Sequence, residues 1–149
     1  ILNNIFKTFD DLSDKYGIEK IKTIGDSYFA VGGLNSDKTL SAINIIKLGK
    51  AFIKSIKDID NSTPEMDIKI RIGVHTGPIV AGVIGKNKFA YDLWGASVNM
   101  ANRLETTCPP GNIQVSEETK RLLEDNFSYE TQKLTDIKGI GSVNTYLIV

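Results

Sequence analysis

The sequence predicts an α+β domain in which an antiparallel-rich sheet carries helices packed against it. Two observations predict this class. Stretches with apolar residues every three or four positions are interspersed irregularly with short strand-like stretches, and glycine-containing turns indicate two hairpins. A chain of 149 residues can bury one sizeable core. No repeat, low-complexity tract or interdomain linker is visible, so we expect one domain.

The first predicted elements are a helix and a hairpin. Apolar residues recur at helical spacing over residues 1–16, and Gly17 is a typical helix end. Residues 18–24 alternate apolar and polar side chains, and residues 28–31 are apolar, which is typical of strands. Because Gly-Asp-Ser lies between them at 25–27, the two strands are predicted to form a hairpin.

A long helix and a strand are predicted next. One apolar face runs through residues 37–59, with Ser36 or Asp37 as the N-cap. Residues 61–64 read Asn-Ser-Thr-Pro and predict a loop. Strict alternation over residues 68–74 then gives the clearest strand pattern in the chain.

The middle of the chain is rich in glycine. The apolar run at 79–84 is predicted to form a strand that pairs with the strand at 68–74. Residues 88–93 predict another short strand, which Gly95 ends, and residues 96–106 predict a helix.

The last third has fewer clear elements. Pro-Pro-Gly at 109–111 interrupts the pattern, and residues 113–115 predict a short strand. Ser116 is predicted to cap a helix that runs through Asn126, and residues 143–149 predict a closing strand.

Charge and composition exclude some functions. Lys plus Arg and Asp plus Glu both number 18, so no overall basic field attracts nucleic acid or an anionic membrane. No apolar run approaches the roughly 20 residues that cross a bilayer. Cys108 is the only cysteine, which excludes an internal disulfide and fits a reducing, cytoplasmic compartment. The chain begins without Met and in mid-pattern, so we expect a piece of a longer protein, with any membrane attachment through other segments.

Several polar residues are candidates for a site. Asp26 at the predicted hairpin tip can bind a hard cation such as Mg²⁺, although a turn aspartate bonded to its own backbone is the more common case. Asn99 and Arg103 lie four positions apart on one predicted helical face, and a guanidinium suits phosphate. Asp92 ends the strand before that helix, and Lys22 lies in the strand before Asp26. By spacing alone, all of these also fit solvated surface positions.

Two reactive residue types receive structural interpretations. His75 is the only histidine, so it has no partners for a His-based metal site, and we expect it to bond locally. Cys108 lies in Thr-Cys-Pro-Pro without a nearby base and is interpreted as structural. The glycines from 73 to 85 match neither a Walker loop nor a dinucleotide fingerprint, and they indicate tight turns and close strand packing.

Three stretches carry a more specific pattern: EKIKTIGDSYFAVGGL (19–34), IRIGVHTGPIVAGVIGKNKFAYDLWGASVNMANRLE (70–105) and PPGNIQVSEET (109–119). In order along residues 1–149, they closely resemble the catalytic domain of class III adenylyl/guanylyl cyclases. The resemblance implies a ferredoxin-like βαββαβ core with additional strands and helices. It also implies head-to-tail dimers with ATP or GTP at the interface, and two Mg²⁺ or Mn²⁺ ions at each site.

The resemblance also implies residue roles. Asp26 corresponds to an aspartate that binds metal, Asn99 to the asparagine that orients the ribose, and Arg103 to the arginine that stabilises the phosphates in the transition state. Substrate contacts are implied at four further positions: Lys22 at purine N1, Asp92 at the exocyclic amine, Leu93, and Lys138. A lysine donor beside a carboxylate acceptor suits adenine and opposes guanine, so ATP is the expected substrate and cyclic AMP the expected product.

Two departures from the family pattern leave alternatives open. No residue corresponds to the family's first metal aspartate, because the chain begins at the helix that follows it; residues 1–149 are expected to be an N-terminally incomplete catalytic domain. Ile140 stands in Lys138-Gly139-Ile140 where many relatives have a phosphate-binding lysine. A catalytically inactive regulatory or dimerisation module is therefore one alternative, and a guanylate cyclase is the other.

Overall fold

The structure is a computed structural model that describes residues 2–34, 37–63, 65, 67–84, 90–137 and 139–149. Its helices are α1 (Leu2–Lys15), α2 (Lys38–Ser62), α3 (Ala96–Thr106) and α4 (Glu117–Leu123). Its strands are β1 (Glu19–Ile24), β2 (Ser27–Val31), β3 (Ile72–Val74), β4 (Val80–Ile84), β5 (Ala90–Trp94), β6 (Ile113–Ser116), β7 (Tyr129–Ile137) and β8 (Gly141–Ile148). The predicted α+β class is confirmed.

The described strands form three hydrogen-bonded groups. The largest is a four-stranded sheet in the order β3-β6-β8-β7, in which β3 and β6 are parallel and the other neighbours are antiparallel. Strands β1 and β2 form an antiparallel hairpin, and β4 and β5 form an antiparallel pair. Within the described residues, no helix is long and apolar enough to cross a membrane.

Helix α2 is the central packing element. Ile46, which is fully buried, joins residues of β3, β6, α4 and β8 in one apolar cluster. Phe52 belongs to a second cluster, shared with α1 and the β1–β2 hairpin, and stacks on Phe9 at 3.8 Å between ring centroids. The hairpin is therefore attached to the domain through the aromatic cluster between α1 and α2.

Local signals placed several boundaries correctly. Gly17, with φ +68°, follows α1, and the Asp37 side chain caps α2 by accepting a hydrogen bond from the backbone N–H of Leu40 at 2.8 Å. The other proposed cap, Ser36, lies outside the described residues. Gly25 has φ +57° at the turn between β1 and β2, where a tight hairpin favours glycine.

The predicted pairing of the run at 79–84 with the strand at 68–74 is wrong. Strand β4 instead pairs with β5, and β3 pairs with β6. After β3, His75 bonds to Ser116, and the Thr76 hydroxyl lies 2.9 Å from that of Thr119. These contacts direct the chain towards α4, so it does not turn back along β3.

Two further expectations need correction, and one strand was not expected. Helix α2 continues to Ser62, past the predicted end at 59, because the Ser62 hydroxyl and the Thr63 backbone N–H both donate to the Ile59 carbonyl. Of the predicted strand at 68–74, only β3 forms ladder pairs with β6. Ile68 and Ile70 do face the core as their alternation implies, and the Ile70 carbonyl accepts the Gly111 backbone N–H at 2.6 Å. Strand β7 was not predicted, since its sequence YETQKLTDI has few apolar residues.

Helix α3 packs unusually close to β3. A methyl group added at Gly73 would meet backbone atoms of Ala101, Leu104 and Glu105 on α3. Only glycine permits this approach of backbone to backbone. The absence of a side chain at Gly73 thus permits α3 to lie at this position on the sheet.

Candidate active site

An ion pair joins two of the predicted site residues. The Lys22 Nζ on β1 lies 2.6 Å from Oδ2 of Asp92 on β5, and their side chains are 39% and 17% exposed. The second oxygen of Asp92, Oδ1, accepts the backbone N–H of Leu93 at 2.8 Å. A donor and an acceptor therefore stand side by side at a partly exposed position.

A β-bulge directs Lys22 towards Asp92. Lys20 lies opposite Ala30, but Lys22 lies opposite Phe29, so Ile21 between them has no directly opposite partner. Cross-strand partners share a face of the hairpin, and Ala30 packs into the cluster beside α1 and α2. Lys20 thus points towards α1, whereas the extra residue moves Lys22 to the opposite face. Regular alternation would have put both lysines on one face.

The pair also changes the acidity of Asp92. The hydrogen bond from Lys22, followed by that from the Leu93 backbone, holds the pKa of the Asp92 carboxyl below its ordinary 3.8. Asp92 is therefore an anion at neutral pH, and it can only accept hydrogen bonds.

The two predicted catalytic residues lie on α3, which begins directly after Gly95 at the end of β5. Asn99 is exposed and Arg103 half-buried, and their spacing of four places both on one side of the helix. In the described part of the chain, no side chain pairs with the Arg103 guanidinium. Both residues are thus available to a ligand, and no hydrogen bond or ion pair among the described residues joins them to the Lys22–Asp92 pair.

A buried amide fixes α3 to the sheet. Gln114 on β6 is 1% exposed, and its Nε2 donates to the Leu104 carbonyl at 2.8 Å and to the Thr107 hydroxyl at 2.9 Å. Its oxygen accepts the Thr145 hydroxyl at 2.9 Å. Sequence reasoning missed this residue, because its partners, at the end of α3 and on β8, come together only in the folded chain.

The remaining predicted site residues have different surroundings. Asp26 is exposed at the turn between β1 and β2. The Leu93 side chain is 3% exposed, so within one chain it offers little surface to a ligand. Lys138 lies outside the described residues, and Ile140 is 52% exposed before β8. Among the described residues, no group of three or more His, Cys, Asp and Glu side chains is arranged to hold a metal ion.

The two reactive side chains are structural, as their sequence contexts indicated. Cys108 is 3% exposed, and burial raises the pKa of its thiol to about 11, so the thiol is protonated at neutral pH. The His75 Nδ1 lies 2.7 Å from the hydroxyl of Ser116, the residue that caps α4. The expected local bonding of His75 is confirmed.

His75 makes stability depend on pH. Burial lowers its pKa below the ordinary 6.5, against the smaller opposite effect of the Glu118 charge. The unfolded chain therefore takes up a proton first as the pH falls through about 6.5, and the free energy of unfolding decreases until the folded-state pKa is passed. For a single proton the slope cannot exceed about 1.4 kcal/mol per pH unit.

We expect urea unfolding to show this decrease in the free energy of unfolding between pH 7.5 and 5.5, and to show a smaller decrease for His75→Gln. His75 is the only histidine, so the difference between the two proteins isolates its titration. Equal slopes in both proteins would contradict the assignment.

Comparison with known proteins places this arrangement in a class. The chain matches the family of adenylate and guanylate cyclase catalytic domains over residues 1–149. It is 37% identical to a membrane guanylyl cyclase of Dictyostelium discoideum and 37% identical to adenylate cyclase type 9 of Gallus gallus, each over 99% of this chain. It superposes on the guanylate cyclase domain of RhGC from Catenaria anguillulae, solved in complex with GTP, with a TM-score of 0.89 at 30% identity. That match covers 99% of this chain and 81% of the other.

The fold and the sequence thus define a class III nucleotide cyclase domain. The chain belongs to the adenylate and guanylate cyclase catalytic domain family. It spans only 10% of the Dictyostelium protein and 12% of the Gallus protein. Adenylate and guanylyl cyclases resemble it equally, so overall similarity does not select ATP or GTP.

Proposed function

We propose that this chain is an adenylate cyclase catalytic domain that converts ATP to 3′,5′-cyclic AMP and pyrophosphate at the interface of a head-to-tail dimer. The observation that carries the proposal is the ion pair between Lys22 and Asp92, at 2.6 Å. It supports a choice of base that overall similarity to relatives leaves open.

The polarity of the pair matches adenine. Adenine has an acceptor at N1 and a donor at its exocyclic amine, and the Lys22 ammonium and the Asp92 carboxylate supply the opposite groups. Guanine has a donor at N1 and an acceptor at O6, so it would meet like polarity at both positions. A site built to hydrogen-bond one base excludes the other because mismatched polar groups are left unpaired.

The proposed reaction is an in-line displacement at phosphorus. The ribose 3′-hydroxyl releases its proton to solvent as its oxygen attacks the α-phosphorus of ATP, the bond from phosphorus to the oxygen bridging to the β-phosphate breaks, and pyrophosphate leaves. Asn99 would orient the ribose through its amide, and Arg103 would donate hydrogen bonds to the phosphate oxygens as their charge shifts in the transition state. Lys138 would contribute a further cation to the triphosphate.

Asp26 is the residue proposed to bind metal. Its carboxylate is exposed at a tight turn, and Mg²⁺ commonly binds through one or two carboxylates together with substrate phosphates. One such carboxylate fits this mode, with the second protein ligand supplied from outside the described residues. When bound, two Mg²⁺ or Mn²⁺ ions would promote ionisation of the 3′-hydroxyl and neutralise the departing pyrophosphate.

The test is cyclic nucleotide production by the dimeric parent domain with Mn²⁺ and either ATP or GTP. We expect cyclic AMP from ATP, with GTP turned over at least about 100-fold less efficiently in kcat/KM. Lys22→Gln should lower kcat/KM for ATP about 100-fold and reduce this preference, whereas Lys47→Gln, on an exposed face of α2, should change neither. Equal use of ATP and GTP by the unmodified protein would overturn the base-reading argument.

Two observations favour a second candidate, a nucleotide-binding regulatory module without catalysis. The described residues contain no complete metal cluster, and an exposed isoleucine stands at 140, where the family resemblance implies a phosphate-binding lysine. A folded, dimeric protein that binds ATP and makes no product would establish this candidate instead.

A further inference from the structure

We propose that Asp10 and Tyr28 are positioning residues that hold the β1–β2 hairpin, and with it Lys22 and Asp26, in register with the rest of the site. The inference rests on the proposed function for its catalytic consequence. Its structural part, which concerns the geometry of the Lys22–Asp92 pair, can be measured without any turnover.

A compact polar network joins α1 to the hairpin. The Tyr28 hydroxyl donates to Oδ1 of Asp10 at 2.8 Å, and the Ser13 hydroxyl lies 3.1 Å from the same phenol oxygen. The Lys20 ammonium binds Asp10 as well, with a hydrogen bond of 3.2 Å to Oδ2. Ser13 is 1% exposed, so the network extends into the interior. Asp10 thus binds one residue from each strand of the hairpin.

The Tyr28 ring is held as firmly as its hydroxyl. It meets Phe9 and Phe52 edge-on at centroid distances of 5.6 Å, and it lies 5.7 Å from Phe6. The ring therefore has one packed position, and its hydroxyl reaches Asp10 from that position.

The location of Tyr28 connects this network to the site. Tyr28 lies directly opposite Thr23, the neighbour of Lys22, and follows Asp26 by two residues. Among the described residues, the backbone ladder of β1 and β2 joins these two strands only to each other, and an isolated two-stranded ribbon is only marginally stable. Asp10 holds the hairpin on the face towards α1, and Asp92 binds Lys22 on the other face.

The Asp10–Tyr28 hydrogen bond and the Lys22–Asp92 ion pair should therefore be coupled. When the Asp10–Tyr28 bond is lost, the hairpin can twist about its aromatic attachment and Lys22 can move away from Asp92. Small displacements of catalytic groups lower rates strongly, because reaction depends on aligned atoms. The network touches no substrate itself, so its catalytic consequence should appear in kcat/KM, through the displacement of Lys22 and Asp26.

The decisive experiment compares Tyr28→Phe with Tyr129→Phe. Both changes remove only a hydroxyl. Tyr129 lies on β7, in a different sheet from Tyr28, and its hydroxyl donates to the Glu124 carbonyl at 2.8 Å. Titration of Asp92 by carbon NMR, without nucleotide or metal, reports the Lys22–Asp92 contact directly. We expect its pKa to rise towards 3.8 in Tyr28→Phe and to stay at the unmodified protein's value in Tyr129→Phe.

Kinetics and a second variant complete the test. Tyr28→Phe should lower kcat/KM for ATP about tenfold, and thermal unfolding should confirm that the variant is folded. Asp10→Asn keeps an acceptor for the Tyr28 hydroxyl but loses the charge that binds Lys20, so it should have a smaller effect. An unchanged Asp92 titration in Tyr28→Phe, or an equal change in both tyrosine variants, would overturn the proposal. An altered titration in a protein that makes no cyclic nucleotide would support the positioning role and reject only the proposed function.

Discussion

Asp26→Ala is expected to lower cyclic AMP production at least about 1000-fold and to leave the fold intact. The loss follows if Asp26 is the described carboxylate that holds metal against the triphosphate. The fold should survive because the side chain is exposed, and surface changes of this kind alter the free energy of unfolding by about 0.5 kcal/mol or less. Turnover with saturating ATP and Mn²⁺, together with urea unfolding, measures both quantities.

The matched control for this change is Asp58→Ala, which removes another exposed carboxylate from the surface of α2. It should retain full activity. Turnover by Asp26→Ala comparable to that of the control would remove Asp26 from the metal site, whatever the identity of the nucleotide.

Gly73→Ala is expected to lower the free energy of unfolding by about 3 kcal/mol or more. Its new methyl group would meet backbone atoms of α3, including the Glu105 nitrogen and the Ala101 carbonyl. Backbone cannot move aside as a side chain can, so the whole helix must shift. Asn99 and Arg103 would move with it, and activity should fall even in the fraction that remains folded. Urea unfolding with a constant m-value is the measurement.

A second glycine provides the control. A methyl group at Gly49 on α2 would lie 2.9 Å from Cδ1 of Ile113, which is the flexible end of a side chain. Alanine also favours a helix over glycine by about 1 kcal/mol, so Gly49→Ala should be close to neutral. Similar losses for the two variants would show that the approach of α3 to β3 is not the reason for Gly73.

Local signals in the sequence predicted the local elements. The boundaries of α3 were predicted as observed, and the turn at Gly25 and the cap at Asp37 followed from the conformational preferences of those residues. These features depend on interactions within a few positions of the chain. Spacing alone did not identify the residues of the site, because they also fitted solvated positions. Resemblance to the family supplied their expected roles.

Only tertiary structure decided which strands pair and on which face of a strand a side chain lies. Strand β4 pairs with β5, β3 lies parallel to β6, and β7 pairs with β8 although its composition is weakly strand-like. Lys22 and Asp92 are 70 positions apart, and they meet because a bulge at Ile21 moves Lys22 to the other face of its hairpin. The amino-acid sequence by itself determined where helices and turns form and which polar groups were available. Which groups meet was determined by contacts between distant segments, since burial and hydrogen bonding across the sheet select one register from the several that local pattern allows.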